Sequence, residues 1–225
     1  MNHDFISAES LRYSYISRNL PHLFDVDKPL FITFRLNMTL PEQMMIEYNR
    51  RRELWYAQFQ AMDENQKGKA LQSRDGKFFT WFDELLASNN DVPKFLARED
   101  VTNIIIESLR YHDGKRYQLW AYCIMPNHVH VLIKPLKQGN GLIYPPQHIC
   151  YTWKKYSAYR INQVMQFKGA LWQRGSYDHL VRDENEMLRV IDYIIMNPVK
   201  AKLVDNWVEW KGSYLNPMLE ECSRV

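Results

Sequence analysis

Alternation of apolar and polar positions is clearest between residues 117 and 135, where β-branched and aromatic side chains flank a Met-Pro-Asn turn signal at 125–127. The pattern predicts two strands joined at that turn. Because side chains of a strand alternate between two faces, the second strand directs its valines and isoleucine toward a core. His128 and His130 are then expected side by side on the opposite face.

Similar patterns predict two further strands and several helices along the chain. Residues 29–36 are a predicted strand whose even-numbered apolar side chains share one face, with Phe31 and Thr33 on the other. The remaining predicted elements are helices from Pro41 to about Lys69, at 78–87, at 98–111, from His148 to about Val164 and at 184–197, and a short strand at the end of 171–182. We expect one domain at 28–205, an N-terminal arm at 1–27 and a C-terminal tail at 206–225.

The helix at 184–197 has the most distinct limits. Asp183 and Glu186 have the spacing of a capping box, and Pro198 disfavours a helical conformation in the residue before it, so the helix is predicted to stop there. At about 100° per residue, Tyr193 and Asn197 fall one turn apart, opposite the apolar stripe. The helix therefore presents a phenol and an amide together.

Metal binding is one of two interpretations of the histidine pair. Two imidazoles on one strand face can share a divalent cation, and Asn197 can add an amide oxygen while positions remain open for substrate oxygens. In the other interpretation the histidines are surface or hydrogen-bonded residues, Tyr193 is an exposed helix residue, and Asn197 only ends a helix before proline.

Composition limits the class of protein. The 225 residues are 46% hydrophobic and 24% charged, as in globular proteins, and no apolar run reaches the roughly 18 residues of a membrane span. Three widely spaced cysteines (Cys123, Cys150, Cys222) and an N-terminus without a signal pattern predict reduced thiols and a cytoplasmic protein. The net charge is only +3, but residues 134–182 contain eight basic residues and one acidic residue, which suits a polyanionic partner.

Four motifs together indicate a family. They are Met125-Pro126-Asn127-His128-Val129-His130-Val131, Leu171-Trp172-Gln173-Arg174, Tyr177-Asp178-His179 and Asp192-Tyr193-Ile194-Ile195-Met196-Asn197-Pro198-Val199-Lys200-Ala201. In this order they resemble the REP-associated tyrosine transposases, which belong to the single-strand transposases and HUH endonucleases. The resemblance covers residues 28 to 205.

The resemblance implies an α+β fold with an antiparallel, ferredoxin-like (RRM-like) sheet, the histidine strand at its centre and the tyrosine on a C-terminal helix. It implies that His128, His130 and Asn197 bind Mg²⁺ or Mn²⁺. It also implies that Tyr193 attacks the scissile phosphate of single-stranded or hairpin DNA, leaving a 5′-phosphotyrosine for strand transfer. A protein of this kind would work in the cytoplasm, at the nucleoid.

The basic, aromatic segment would then bind the DNA. Lys154, Lys155, Arg160 and Arg174 can neutralise phosphates. The rings of Trp153, Tyr156 or Trp172 can stack on unpaired bases, although core packing is the stronger expectation for the two tryptophans.

Two other functions are compatible with the sequence. One is a domesticated hairpin-DNA-binding protein without catalytic turnover, and the other is a metal hydrolase that uses the histidine pair on a small substrate. The sequence leaves open the hairpin recognised, the general base, the role of residues 41–91, and the choice between monomer and homodimer. It equally leaves open whether Tyr193 serves the metal of its own chain or that of a partner.

Overall fold

The computed structural model describes residues 28–37, 42–63, 81, 93–139 and 143–220. The chain divides into two compact units, one made of residues 1–37 and 94–225 and the other of residues 38–93. The predicted N-terminal arm, the end of the first predicted helix and, apart from Trp81, the predicted helix at 78–87 lie outside the described residues.

A five-stranded antiparallel sheet forms the centre of the larger unit. Its strands are β1 (Leu30–Arg35), β2 (Tyr117–Ile124), β3 (His128–Pro135), β4 (Tyr177–Leu180) and β5 (Ser213–Leu215). The order across the sheet is β4-β1-β3-β2-β5, so the predicted histidine strand is central. The predicted turn at 125–127 joins β2 to β3, which confirms the strand pair.

The same unit contains two helices that connect strands of the sheet. α2 (Glu99–Arg110) comes after a short 3₁₀ helix (Phe95–Ala97), and α3 (Pro146–Met165) connects β3 to β4. The two helices contact each other, and Trp153 of α3 packs on Phe34 of β1 at a ring-centroid distance of 6.2 Å. Since Phe34 belongs to the even-numbered face of β1, this face of the sheet carries the core that the alternation predicts.

The opposite face of the sheet is covered by α4 (Glu184–Lys200), which contacts β2, β3 and β5. Ile191, Ile194, Ile195 and Pro198 are its buried residues. The helix begins as predicted, because the Asp183 side chain accepts a hydrogen bond from the backbone N–H of Glu186 at 2.8 Å. The Glu186 carboxylate accepts in turn from the backbone N–H of Arg182 at 2.7 Å.

The predicted end of this helix at Asn197 is wrong. α4 runs through Pro198 and ends at Lys200, and the backbone N–H of Ala201 still donates to the carbonyl of Asn197. Proline near a C-terminus removes one intrahelical hydrogen bond, and the burial of Pro198 adds a favourable apolar contribution.

The chain beyond residue 205 returns to the sheet. After a 3₁₀ helix (Trp207–Glu209), the indole of Trp210 donates to the carbonyl of Ile124 at 2.9 Å, and β5 pairs with the edge of β2. A short helix, α5 (Pro217–Glu220), follows. The segment that the sequence sets apart as a tail therefore supplies one of the five strands.

The smaller unit contains α1 (Glu42–Gln60), in the place of the first predicted helix. Arg50 and Arg51 of this helix are exposed, and both pair with the carboxylate of Glu47. None of the described helices, in either unit, combines the length and apolar character that a membrane span requires.

Candidate active site

His128 and His130 lie on β3 with their side chains toward α4. Their ring centroids are 4.7 Å apart, and the side chains are 1% and 0% exposed. Across the strand pair, Arg35 is opposite His128 and Thr33 is opposite His130. The surface histidines considered from the sequence are therefore excluded, and the pair is enclosed by neighbouring side chains.

A hydrogen bond orients each imidazole. Nδ1 of His128 is 2.6 Å from the side-chain oxygen of Asn127, which can only accept, so Nδ1 carries the proton. Nε2 of His128 is then the basic nitrogen, and within the described part of the chain it is buried without a hydrogen-bond partner. Nδ1 of His130 is 2.7 Å from the hydroxyl of Thr33. Bonds of this kind set the tautomer of histidines that bind metals.

Both imidazoles are neutral at physiological pH. Burial, and secondarily the nearby charge of Arg35, lowers the pKa of His128 to about 3. Burial, followed by the effect of His128, holds the pKa of His130 well below its usual value of 6.5. A neutral imidazole has the free lone pair that metal coordination requires.

Tyr193 is a residue of α4 that contacts the histidine pair. Its ring is half-buried and meets the ring of His130 edge to face, with centroids 5.4 Å apart. Phe31 of β1 packs against both rings, at 5.9 Å from Tyr193 and 5.7 Å from His130. On the other side, the ammonium of Lys200 is 5.7 Å from the centroid of the Tyr193 ring.

Asn197 lies one turn after Tyr193 on the same side of α4, as the helical spacing predicts. Its side-chain amide nitrogen donates to the backbone carbonyl of Tyr193 at 2.8 Å. This hydrogen bond uses the nitrogen and leaves the amide oxygen as the atom suited to a metal. The structure thus joins His128, His130 and Tyr193 through ring contacts, and it links Asn197 to them through Tyr193.

The residues at this site fit a divalent cation. Nε2 of His128 is a buried basic nitrogen, both rings are neutral, and both are held by hydrogen bonds at Nδ1. Among the described residues no cluster of three or more His, Cys, Asp and Glu side chains occurs, so a third protein ligand has to be of another type, such as an amide oxygen. Imidazole nitrogens are common ligands of divalent metals, an amide oxygen suits Mg²⁺ or Mn²⁺, and three protein ligands leave coordination positions open.

Sequence reasoning missed the residues that support the pair. The Leu171–Arg174 motif contacts the end of β1 at Arg35. Trp172 forms a β-bridge with Leu36. The backbone N–H of Gln173 donates to the carbonyl of Arg35 at 2.9 Å, and the Arg35 guanidinium donates to the Gln173 side chain. The motif therefore holds a guanidinium beside His128. Only the placement of Thr33 and Arg35 on the odd-numbered face of β1 could have suggested them.

The residues predicted to bind DNA occupy different environments. Lys154 is half-buried, and its ammonium donates to the backbone carbonyls of Gln173 and Gly175, with burial lowering its pKa. Lys155 and Arg174 are exposed, and Arg160 donates to the hydroxyl of Tyr156 at 2.8 Å. Lys154 thus holds the 173–175 loop in place.

The two tryptophans considered for base stacking belong to the core. Trp153 and Trp172 are 1% and 7% exposed, and their indole nitrogens donate to the hydroxyl groups of Tyr117 and Ser157 at 2.7 and 2.9 Å. Core packing, the stronger expectation from the sequence, is confirmed for both.

The fold and the site define an α+β domain that carries a buried histidine pair and a tyrosine on one face of an antiparallel sheet. No protein-family model matches the chain. A protein of Haemophilus influenzae named “Putative REP-associated tyrosine transposase” is 29% identical over 106 residues, which are 43% of this chain and 58% of that protein. This relative confirms the resemblance to REP-associated tyrosine transposases that the motifs indicate.

Two further proteins are similar to this chain. A second Haemophilus influenzae protein, named “Uncharacterized protein”, is 30% identical over 94 residues, 35% of this chain and 52% of that protein. The chain thus spans a little over half the length of the curated relatives it matches. A solved structure, “Structure of the REP associates tyrosine transposase bound to a REP hairpin”, has a TM-score of 0.47 and 15% identity, covering 88% of this chain and 82% of its own.

Proposed function

We propose that this chain is a metal-dependent tyrosine transposase of the HUH class, a single-stranded DNA endonuclease and strand transferase that cleaves and rejoins hairpin DNA. The observation that carries the proposal is the contact between the ring of Tyr193 and the histidine pair on the central strand. A nucleophile beside two neutral, oriented imidazoles is the arrangement that covalent phosphoryl transfer at a metal requires.

In the proposed reaction, the phenol oxygen of Tyr193 attacks the scissile phosphorus as the phenol loses its proton. The bond to the 3′ oxygen breaks, that oxygen takes up a proton, and the 5′ phosphate stays on the tyrosine. The phosphotyrosine bond conserves the energy of the phosphodiester, so a second 3′-hydroxyl can reverse the step and rejoin the strand.

His128, His130 and Asn197 would hold Mg²⁺ or Mn²⁺ in this mechanism. The bound cation supplies Lewis-acid polarisation of the scissile phosphate and stabilises negative charge in the in-line displacement. The protein itself would orient the reacting groups. Asn127 and Thr33 hydrogen-bond to the imidazoles, and Phe31 packs against the rings of both Tyr193 and His130.

The strand order supports a ferredoxin-like fold, and the charge distribution supports a nucleic-acid partner. The strand order β4-β1-β3-β2, with α2 between β1 and β2 and α3 between β3 and β4, is that of a ferredoxin-like sheet with β5 added at the edge. The segment of residues 134–182, with eight basic residues and one acidic residue, supports a nucleic-acid partner. The name of the curated relative supports a DNA-processing enzyme.

The test is an adduct assay. Purified protein is incubated with a panel of 5′-labelled and 3′-labelled hairpin oligonucleotides carrying single-stranded flanks, in MnCl₂ or EDTA. We expect a covalent protein–DNA species on denaturing gels that depends on the metal and retains the label 3′ to the cut. Tyr193→Phe should form none, while keeping its thermal midpoint because the ring contacts persist.

Tyr111→Phe is the matched control, because Tyr111 is 70% exposed and lies outside the site. It should form the adduct at the wild-type rate. An adduct that persists in Tyr193→Phe would identify a different nucleophile, and the absence of an adduct in the wild-type protein on every hairpin would reject the enzyme.

A hairpin-DNA-binding protein without turnover is the second candidate, and one observation favours it. The imidazoles are 1% and 0% exposed, so a metal and a phosphate reach them only if neighbouring side chains move. This candidate predicts salt-dependent hairpin binding, no adduct, and no effect of MnCl₂ on the thermal midpoint.

A further inference from the structure

The solvent face of α3 carries two tyrosines and a lysine in a line. Tyr151 and Tyr159 are 59% and 64% exposed, and Lys155, between them, is also exposed. Spacing of four residues places the three side chains on one side of the helix, with about 12 Å between the two tyrosine Cα atoms. We call Tyr151, Lys155 and Tyr159 the tyrosine stripe.

The other aromatic residues of α3 are engaged within the protein. Trp153 is in the core, and the hydroxyl of Tyr156 donates to the carboxylate of Glu107 and accepts from Arg160. In the described part of the chain, neither tyrosine of the stripe has a hydrogen bond to its hydroxyl. The Lys155 ammonium lies 5.8 Å from the centroid of the Tyr151 ring. Large exposed rings with no partner of this kind are suited to a ligand.

The charged side chains of α3 itself have one sign, and the Glu107 carboxylate of α2 that contacts this helix is hydrogen-bonded to Tyr156. α3 contains no aspartate or glutamate, and its charged residues are Lys154, Lys155 and Arg160. The segment that follows, up to Arg174, adds Lys168 and again no carboxylate. A polyanion is therefore the partner that this surface complements, and a second copy of the same surface would bring like charges together.

The tyrosine stripe and the histidine pair lie on opposite faces of the sheet. α3 packs on the Phe34 face through Trp153, whereas Tyr193 packs on the Phe31 and His130 face. DNA on the stripe is consequently a part of the substrate other than the scissile phosphate.

We propose that the tyrosine stripe of α3 is a second DNA-binding site, which stacks unpaired bases on Tyr151 and Tyr159 and contacts a phosphate through Lys155. Exposed rings flanking a cation are the elements of single-strand binding, since the bases of a duplex are closed to stacking. The inference rests on the proposed function for the choice of DNA as the nucleic acid. The stripe contributes affinity for single-stranded flanks and leaves the chemical step unchanged.

The test measures binding apart from chemistry. A fluorescein-labelled 20-nucleotide single strand of mixed sequence is titrated in EDTA at several salt concentrations, and anisotropy gives the dissociation constant. Each change of Tyr151→Ala or Tyr159→Ala should weaken binding at least roughly fivefold. Lys155→Ala should reduce the slope of log affinity against log salt by about 1.

The chain supplies a matched control in Tyr111→Ala. Tyr111 is 70% exposed, and the ammonium of Lys115 is 5.8 Å from its ring centroid, as that of Lys155 is from the Tyr151 ring. Asp113 and Glu107 lie nearby in sequence, so this second tyrosine–lysine pair has carboxylates within its own segment, which α3 lacks. We expect wild-type affinity from this variant, and circular dichroism should show all variants folded.

The outcomes separate this inference from the proposed function. If the double variant Tyr151→Ala/Tyr159→Ala loses binding and no protein forms an adduct, the second DNA-binding site is supported and the enzymatic function is rejected. Wild-type binding by the double variant, or no single-strand binding by the wild-type protein, overturns the stripe even where the adduct forms. A wild-type dimer that the double variant converts to monomer, with binding unchanged, assigns the surface to a second copy of the chain and also overturns it.

Discussion

The ring of Tyr193 meets the ring of His130 edge to face within one chain, with centroids 5.4 Å apart. The nucleophile of the proposed reaction and one of its metal ligands are therefore neighbours without the help of a partner subunit. Asn197 follows one turn later on the same helix and is hydrogen-bonded to the backbone of Tyr193. This contact predicts a cis arrangement, in which Tyr193 serves the metal of its own chain.

A complementation experiment tests the cis arrangement. Tyr193→Phe and His130→Asn should each be inactive in adduct formation, and an equimolar mixture of the two should stay inactive, because each active site takes both residues from one chain. Adduct formation is followed on denaturing gels after co-refolding, with wild-type protein mixed with each variant as the positive control. Adduct recovery in the double mixture would show that the tyrosine acts in trans.

The hydrogen bond between Thr33 and His130 predicts an effect on metal affinity. For Nε2 of His130 to bind a cation, Nδ1 must carry the proton and donate it to the Thr33 hydroxyl, 2.7 Å away. Thr33→Val removes that acceptor, and we expect Mn²⁺ affinity to fall about 10- to 100-fold. Thr33→Ser retains the hydroxyl and should bind Mn²⁺ like the wild-type protein in calorimetric titrations. Equal affinities for all three proteins would contradict metal ligation by His130.

Acid should destabilise the fold through the histidine pair. Burial lowers the pKa of His128 to about 3 and that of His130 well below 6.5, so the unfolded chain binds more protons than the folded chain as the pH falls below 6.5. The free energy of unfolding is therefore highest above pH 6.5. It should fall by about 1.4 kcal/mol per pH unit for each imidazole, or about 2.7 kcal/mol for both. Urea unfolding in EDTA between pH 7.5 and 5 measures this slope.

Two described carboxylates with lowered pKa values act outside this pH range. The pKa values of Glu186 and Asp100 are lowered from the usual range, so their stabilising effects are lost only below about pH 4.5. Replacement of one buried histidine, as in His128→Asn, should reduce the slope by about 1.4 kcal/mol per pH unit, the share of one imidazole. A pH-independent free energy of unfolding between 7.5 and 5 would show that the imidazoles are solvated.

Gly212 predicts how the C-terminal segment is attached. A Cβ atom at this position would be 2.8 Å from the carbonyl oxygen of Ile124 and 2.9 Å from the indole nitrogen of Trp210, whose hydrogen bond joins the segment to β2. Gly212→Ala should therefore reduce the free energy of unfolding by about 1–3 kcal/mol. Gly139→Ala, where no atom lies within 4 Å of the added Cβ, is the control and should leave it within about 0.5 kcal/mol. Similar urea midpoints for both variants would contradict the close packing.

The sequence was sufficient for the parts of this fold that depend on local patterns. Alternation located β1, β2 and β3, and the capping residues located the start of α4, because these signals act over a few residues. It failed at Pro198, where the tertiary burial of the ring outweighs a local preference. It also failed to locate β5, whose three residues are a strand only because the edge of β2 is adjacent.

The candidate site shows the same limit. His128, His130 and Tyr193 were identifiable because their motifs are short and their chemistry is distinctive. Thr33 and Arg35 were not, because their proximity to the histidines follows from the antiparallel register of β1 on β3, which one sequence does not encode in any local signal. The charge of Lys154 predicts a DNA contact, whereas its hydrogen bonds to the 173–175 loop depend on a contact across the fold that the sequence does not reveal.

The position of α4 between two edge strands limits how this helix could be exchanged between two molecules. Upstream it is joined to β4 at one edge of the sheet, and downstream the chain reaches β5 at the other edge, so the helix crosses all the intervening strands. An exchange of this helix between two molecules would require an outer strand to detach as well, with loss of its backbone hydrogen bonds. α4, which carries Tyr193, is therefore tied to both edges of the sheet through the strands before and after it.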